Sequence, residues 1–442
     1  MARVDTLPHF LTDVADAIRT KAGTSGAIQA SAFDTAIANI PSGGGTVEPN
    51  EKDVNFYDYD GTRVHSYTAQ EFLALENMPE NPTHEGLTAD GWNWSLTNAK
   101  NYVTNHGSLD IGQTYRPTDG KTKIYIHLED GRTKPYLRFA VNGSVVVDWG
   151  DGGGTQTITG TSTSTFLMTP HEYASGGDYV ITLDSQANIY LSTDNSTYAK
   201  IITGENGYTS TPFQAYLNSV KKLILSPKIV FGTWSFSYMN GLETISIPDQ
   251  NSTSATGLFS NCYSLKNVVI PKSMTTAGNQ MFAYCFSLER AIFSDSITTC
   301  SNACFRSDYS LQNVNVVDRI TTLPDNFFYE THNLKKLLLP TSLTTMNNYS
   351  VYQAETLTKV IIPAGLTTMN YNIFYYTTGI SCYDFSACTQ IPTMQSGCFS
   401  AIASDAKIVV PDDLYNSWIT TSGWNSYASY IISKSDWDDL QA

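Results

Sequence analysis

The sequence predicts a mainly β, multidomain protein whose C-terminal half is a solenoid. Three observations carry that prediction. Leu242, Leu265, Leu288, Leu311, Leu334 and Leu357 stand 23 residues apart, with Ile380 at the next step. Six residues before each anchor sits an aromatic: Phe236, Phe259, Phe282, Phe305, Phe328 and Phe374, with Val351 the exception. A Thr-Thr pair recurs at the same step, starting at Thr275, Thr298, Thr321, Thr344 and Thr367. A fixed period in the twenties marks stacked units, each too short to bury its own apolar face. Stacking joins the Leu, Ile and Phe columns into one core. Runs such as "LKNVVIP" and "LTKVIIP" then align as a parallel sheet. Pro248, Pro271, Pro340 and Pro363 end those runs, because Pro has no N–H to give to a ladder.

The totals narrow the function. Lys and Arg number 26 against 41 Asp and Glu, a formal charge of −15. That balance argues against nucleic acid, whose affinity comes from cations meeting phosphates. Charged residues are only 15%, well below the usual quarter. Tyr, Gly, Thr, Ser and Asn replace them, a palette of extracellular β proteins and binding surfaces. No stretch approaches the roughly 20 apolar residues of a membrane span. The N-terminus "MARVDTLPHFLTDVADAIRTKAG" does not read as a signal peptide, since acidic residues interrupt its apolar stretch. An extracellular composition without an export signal fits a virion protein released by lysis, with a cytosolic protein as the plainer alternative. The seven cysteines lie between Cys262 and Cys398. An odd count, with no CxxC and no completing His, points to buried free thiols rather than disulfides or zinc.

From the N-terminus, residues 1–45 read as a helical attachment segment with a Gly linker. Leu7, Phe10, Leu11, Val14 and Ile18 fall at helical spacing. "SAFDTAIANI" adds a second short helix, capped by Ser31 and carrying Phe33 and Ile37. Two short helices before "PSGGG" bury little alone, so these apolar residues are expected to dock onto a virion partner or onto copies of the chain. Residues 46–118 read as a small α+β module. "DYDGT" is a hairpin turn, and helices begin at Thr68 and near Ser95. His65, His84 and His106 lack metal-ligand spacing. Trp92 and Trp94 alternate as in a strand, which assigns them to packing. Residues 119–205 are strand and turn throughout, and residues 206–442 hold the repeats and their cap.

Here resemblances become specific. Leu-x-x-φ-x-φ-Pro, a variable turn and Phe-x-x-Cys-x-x-Leu look like the BspA-type leucine-rich repeat of bacterial surface and phage proteins, over residues 215 to 400. Only Cys262 and Cys285 keep the pattern's Cys, and the unit at 380, "ISCYDFSACTQIP", departs from it. "KIVVPDDLYNSWITTSGWNSYASYIIS" resembles the end of such arrays, with Trp418 and Trp424 closing the last turn. Asp148, Trp149, Gly150, Asp151 and Gly152, followed by His171, Tyr173, Gly177, Tyr179 and Val180, look like a PKD-type immunoglobulin-like sandwich. Residues 5 to 40 resemble the N-terminal module of tail-associated proteins in phages and prophages of Gram-positive bacteria. Residues 53 to 117 also resemble a module found beside such repeats in phage proteins. The resemblance implies adhesion or recognition, with the middle domains as spacers.

Catalytic groupings are missing: no GxSxG, HExxH, Walker lysine loop or Rossmann glycine fingerprint occurs. The glycines of "DWGDGGG" sit in a β-turn. Asp148 and Asp151 alone offer too few of the six to eight oxygens that calcium takes. The reading is therefore a non-enzyme without metal or cofactor. Tyrosines recur two, four or five residues before the anchors: Tyr238, Tyr263, Tyr284, Tyr309, Tyr329, Tyr352 and Tyr375. A tyrosine face stacks on a sugar ring while its hydroxyl stays wet, which makes these seven the candidate ligand-binding residues; the alternative is that several simply cover the solenoid edge and only a subset lines the surface. The sequence thus predicts a receptor-binding protein of a phage tail tip or baseplate, located on the virion and extracellular. It would be held to tail proteins by its N-terminus and would bind host polysaccharide or protein by its array. A homo-oligomer is expected, a trimer favoured. A bacterial surface leucine-rich-repeat adhesin and a structural virion decoration are the alternatives, with a glycan-degrading enzyme as a third option.

Overall fold

The computed structural model describes residues 52–192, 200–204, 212–249 and 256–441, within a compact unit that begins at Lys52. Leu7, Phe10, Leu11, Val14, Ile18, Phe33 and Ile37 lie outside the described residues. The α+β module is built from β1 (Val54–Tyr57), β2 (Arg63–Tyr67), helix α1 (Ala69–Leu73), β3 (Leu87–Trp92), helix α2 (Leu96–His106) and β4 (Leu109–Pro117). Its sheet has the order β2-β1-β4-β3. Both helices start where capping chemistry places them. Thr68 and Glu71 form a reciprocal capping box, and the Ser95 hydroxyl accepts from the Asn98 N–H.

The next strands are β5 (Thr122–Leu128), β6 (Tyr136–Asp148), β7 (Thr155–Pro170), β8 (Gly177–Ser185), β9 (Ile189–Tyr190), β10 (Ile202–Thr203), β11 (Val220–Ile224), β12 (Ile229–Val230) and β13 (Thr244–Ser246). Hydrogen bonding joins them into one nine-stranded sheet, β12-β9-β6-β8-β5-β11-β13, with β7 and β10 also on β6. The sheet forks at β6. β7 runs along one edge of that strand, while β9 and β10 take the first part of the other edge and β8 the last. The "DWGDG" turn is fixed by packing. The Trp149 ring stacks on His171 at 4.5 Å, the Tyr173 hydroxyl donates to the Trp149 carbonyl at 2.8 Å, and His171 meets Asp151 at 2.8 Å. Gly150 is required there. Its φ is +80°, and a Cβ would lie 2.5 Å from the Val180 carbonyl.

β11 is where the repeats begin. It pairs antiparallel with β5 and parallel with β13, so the forked sheet continues into the first turn of the array. From there strands Asn267–Val269, Arg290–Ile292, Asn313–Asn315 and Lys336–Leu338 form one parallel sheet. Lys359–Ile361, Cys382–Asp384, Lys407–Val410 and Ile431–Ser433 form another. The register advances by the period read from sequence: Asn267 faces Arg290 and Asn313 faces Lys336. The turn that looked irregular takes a longer step, Thr368 facing Thr393 and Cys382 facing Lys407.

Inside, the predicted columns are the core. Phe236, Phe259, Phe282, Phe305 and Phe328 stack at 5.4–5.6 Å and within 12° of parallel, and every anchor from Leu242 to Ile380 is fully buried. Phe385 and Phe399 close the stack against Trp418 and Trp424, both fully buried. The cysteines are free thiols. Burial pushes Cys262 and Cys300 up to about 12. Cys262 Sγ donates to the Phe236 carbonyl and Cys285 Sγ to that of Phe259, at 3.0 and 3.1 Å.

Each turn also holds two residues in the left-handed region. One column is Trp234, Gly257, Gln280, Ala303, Asn326, Tyr349 and Asn372. The other is Tyr238, Asn261, Tyr284, Ser307, Glu330, Gln353 and Tyr376. Their φ values lie between +54° and +66°, which costs a non-Gly residue roughly 1–2 kcal/mol. Hydrogen bonds to the next turn offset that cost. The N–H of Asn326 donates to Asn348, that of Tyr284 to Arg306 and that of Ser307 to Tyr329, at 2.9, 2.8 and 2.7 Å.

The α+β module lies on the outer face of the first repeat strands and does not stand off as a spacer. Gly112 of β4 approaches so closely that a Cβ would sit 2.4 Å from Val269. Asn93 Nδ2 donates to the carbonyls of Ile270 and Ile292, at 3.1 and 3.0 Å, and Trp94 Nε1 to that of Phe293 at 2.7 Å. Trp92 and Trp94 are both buried, one in the module and the other at this contact. Helix α2 is clamped by the same position of two successive turns. Asp295 Oδ2 accepts from the Ser95 N–H at its start, and Asp318 accepts from His106 and Asn105 at its end. The three histidines go to separate partners, His65 to the Glu80 carbonyl, His84 to Asp58 and His106 to Asp318.

Two carboxylates of the array, Asp308 and Asp318, each give a prediction. Asp308 occupies the column of Cys262, Cys285, Thr331 and Thr377. It is fully buried; Oδ1 accepts the Cys285 N–H, but Oδ2 has no partner. Burial raises its pKa well above the ordinary range, against the opposing effect of that N–H. An unfolded Asp titrates near ~3.9, so folding takes up a proton above that pH and stability falls as pH rises. Asp308→Thr, which can donate to a carbonyl as Thr331 and Thr377 do, is expected to stabilise by about 1–3 kcal/mol near neutral pH. Thermal melts against pH should show the gain shrinking towards pH ~4.

Asp318 has the opposite sign. Burial would raise its pKa, but hydrogen bonds from His106, the Thr341 N–H and Asn105 outweigh it and hold the group at about 2. Its stabilising contribution is present above the unfolded value of ~3.9 and is lost as pH falls towards about 2. Asp318→Asn should therefore lower the melting temperature at neutral pH, with the difference from wild type closing in acid.

Candidate functional site

The seven sequence-selected tyrosines sort into strict columns once the turns are laid in register. Two residues before the anchors, Tyr263, Phe286, Tyr309 and His332 follow one another. Tyr263 and Phe286 stack at 4.9 Å, Phe286 and Tyr309 at 5.1 Å, and Tyr309 tilts against His332 at 5.2 Å. Five residues before the anchors, Tyr329, Tyr352 and Tyr375 stack at 4.5 and 5.5 Å, within 10° of parallel. Arg306 heads that column, its guanidinium 4.9 Å over Tyr329 and 6.0 Å from Tyr284. Tyr238 and Tyr284 belong to neither stack. They occupy left-handed positions four residues before their anchors, and both are half-buried.

Neighbouring turns bring these rings into contact with one another. Parallel strands hold neighbouring turns about 4.8 Å apart, which is the distance at which two rings stack. The faces within each column are therefore spent on one another, and the columns offer edges and hydroxyls. Of the selected tyrosines Tyr263 and Tyr309 remain 38% and 43% exposed, and three tyrosines outside the sequence selection protrude as well. Tyr349, Tyr371 and Tyr376 are 36%, 49% and 44% exposed. Tyr349 meets Tyr352 edge-on at 5.7 Å, and Tyr376 meets Tyr375 in the same way at 4.6 Å. The Tyr349 N–H donates to the Tyr371 carbonyl at 3.0 Å, which sets those two on adjacent turns. "NYS" and "NYNIFYY" contained them, but only the register of the turns separates stacked from protruding rings.

The surface is neutral in character. Burial raises the pKa of Tyr329 and Tyr352, and the neighbouring Tyr376 phenol raises that of Tyr375. Nearby charges have local partners: Arg306 lies over the rings, Ser307 Oγ donates to Glu330 at 2.8 Å, and His332 stands 3.5 Å from Glu355. Among the described residues no group of three or more His, Cys, Asp or Glu could hold a metal ion, and no helix is long and apolar enough to cross a membrane. Such a surface can stack on rings and exchange hydrogen bonds through phenols.

Comparison with known proteins gives the array its class. Residues 212–335 and 321–420 match the BspA type leucine rich repeat region, in six copies. Residues 212–420 thus form a BspA-type leucine-rich repeat region. Among solved structures, a leucine-rich repeat protein of T. pallidum is 20% identical, with 39% of this chain and 79% of that one covered and a TM-score of 0.34. A leucine-rich repeat protein from Bacteroides ovatus is 17% identical, covering 48% of this chain and 66% of that one, TM-score 0.32. The pneumococcal vaccine antigen PcpA is 14% identical, covering 47% and 64%, TM-score 0.30. No curated protein matches the chain.

The stacked and protruding tyrosines should separate by stability. Tyr352→Ala removes the middle ring of a three-ring stack and is expected to cost about 1–3 kcal/mol, two ring contacts together. Tyr371→Ala should stay within about 0.5 kcal/mol of wild type. Denaturant unfolding of the two variants measures the difference.

Proposed function

We propose that the chain is a host-recognition protein of a phage or prophage tail tip or baseplate, and that its repeat array binds the bacterial surface. The observation that carries the reading is the neutral aromatic stripe on the turn side of a rigid array. Large, pre-ordered phenols give contact area at little entropic cost. The low charge, the abundance of Tyr, Ser, Thr and Asn, and the BspA-type repeats support recognition over catalysis. The N-terminal segment, residues 1–45, attaches the chain to tail or baseplate proteins through Leu7, Phe10, Leu11, Val14, Ile18, Phe33 and Ile37. Copies assemble there, a trimer being favoured. The PKD-like segment, 119–205, is a rigid connector, in keeping with the strand it shares with the first repeat turn. Location on the virion, outside the host cell, follows from this reading.

A second reading is a bacterial cell-surface adhesin, favoured by the repeat family itself. Both readings put recognition on the array and differ in what the N-terminus holds.

The test uses the whole chain, because cutting at 206 would strip β5 from β11 and the module from Val269 and Phe293. Fluorescent protein is applied to a panel of Gram-positive bacteria, with and without removal of surface polysaccharide. Strain-specific binding, lost in a Tyr349→Ala/Tyr371→Ala/Tyr376→Ala variant that melts like wild type, is the expected result. Binding to no strain by folded, oligomeric protein would move the assignment to a structural virion decoration. Attachment of the chain to purified tails separates the tail protein from the adhesin.

A further inference from the structure

We infer that the cleft between helix α2 and the array is a binding site for one neutral sugar ring. The site is separate from the tyrosine surface and stands or falls independently of the host-recognition reading. The cleft has a volume of about 310 Å³ and lies over the turns that carry Asp295 and Asp318. Trp94 and Tyr102 are buried along it. The polar ends of both rings are already used: Trp94 Nε1 donates to the Phe293 carbonyl at 2.7 Å, and the Tyr102 hydroxyl to that of Val316 at 3.2 Å. What the two rings offer a ligand is therefore carbon. Asn98, Asn101 and Arg319 stand exposed at the rim. Asn98 and Asn101 share a face of α2 with Tyr102, at the three- and four-residue spacing of a helix.

Two of the groups along the cleft are left unsatisfied by the fold. Asp295 is only 7% exposed. Its Oδ2 accepts from the Ser95 N–H and from Asn98 Nδ2, at 2.9 and 2.8 Å, while Oδ1 has no hydrogen bond among the described residues. A carboxylate oxygen set so deep needs a donor, because burial without one is costly. Arg319 has no ion pair or hydrogen bond among the described residues. The repeat does not require it, since the same position is Ser273, Ser296, Ser342 and Gly365 on other turns. Charge decides the class of ligand. An anion drawn to Arg319 would meet Asp295 and Asp318, and a cation drawn to Asp295 would meet Arg319. A hydroxyl suits both, because it donates to a carboxylate and accepts from a guanidinium. A ring bearing several hydroxyls does both at once, with the amides of Asn98 and Asn101 as further partners and aromatic carbon for its apolar side. The volume stands at the low end for small-molecule sites, which fits one ring and not a polymer. An amino acid, carrying both charges, is the competing ligand.

The test is saturation-transfer NMR of the full chain with glucose, galactose, mannose, rhamnose and N-acetylglucosamine, followed by titration. Glucosamine, glucuronic acid and alanine serve as cationic, anionic and zwitterionic controls. At least one neutral sugar should bind with a Kd of about 1–10 mM, the strength expected of so small a ligand, and all three controls more weakly. Arg319→Ser, the residue of the adjacent turns, and Asn101→Ala should each weaken that sugar about two- to tenfold without moving the melting temperature. The Tyr349→Ala/Tyr371→Ala/Tyr376→Ala variant should bind it as wild type does. Binding to no neutral sugar overturns the inference, as does a charged or zwitterionic control that binds equally well. An affinity untouched by both rim variants also overturns it. Loss of the sugar in the triple tyrosine variant would put the site on the tyrosine surface and overturn this one.

Discussion

The structure depends on the hydrogen bonds that lock each turn of the array to the next. On the turn side of the solenoid, chain direction is reversed by two left-handed residues per turn, many of them bulky: Trp234, Tyr238, Tyr284, Tyr349 and Tyr376. A single such residue is strained. The strain persists because the N–H it aims along the axis finds a carbonyl on the following turn, and because the Phe column allows only that spacing. Strand ladder, left-handed turn and ring stack all ask for one repeat distance. Their agreement is what lets units with no core of their own form a rigid body.

The same periodicity is used from outside. Carbonyls and carboxylates of consecutive turns present a ruler, and the module reads it. Asn93 spans Ile270 and Ile292, while the ends of α2 meet Asp295 and Asp318. At the other end of the ruler, Phe385, Trp418 and Trp424 close the last turn. The first turn needs no separate cap, since β11 is also a strand of the preceding sheet. An array fixed at its start, along its flank and at its end leaves the turn side free to carry chemistry. That side carries aromatic rings whose order follows from the fold and whose identity does not.

Ring packing divides those aromatics by role. Tyr329, Tyr352 and Tyr375 are identical in period and chemistry to what a binding platform would need, yet their faces serve the array itself. Tyr349, Tyr371 and Tyr376 stand off the column and keep solvent. Chemical suitability alone does not distinguish the two groups, because the distinction is a matter of which direction each ring has left unoccupied.

By itself the sequence determined the period, the core columns, the cap tryptophans, the capped helix starts at Thr68 and Ser95, and the thiol state. Each of these follows from local chemistry or from spacing along the chain. The pattern could also announce that "ISCYDFSACTQIP" was unusual, but not that it lengthens the register from Thr368 to Thr393. What the tertiary structure decided is where distant segments meet. The contact of Asn93 and Trp94 with Ile270, Ile292 and Phe293 joins residues almost two hundred positions apart. No local signal marks an outward carbonyl as the partner of a particular amide or indole. The sharing of β11 between two sheets and the facing of each tyrosine are of the same kind. They depend on the space left after the turns have stacked, and that space exists only in three dimensions.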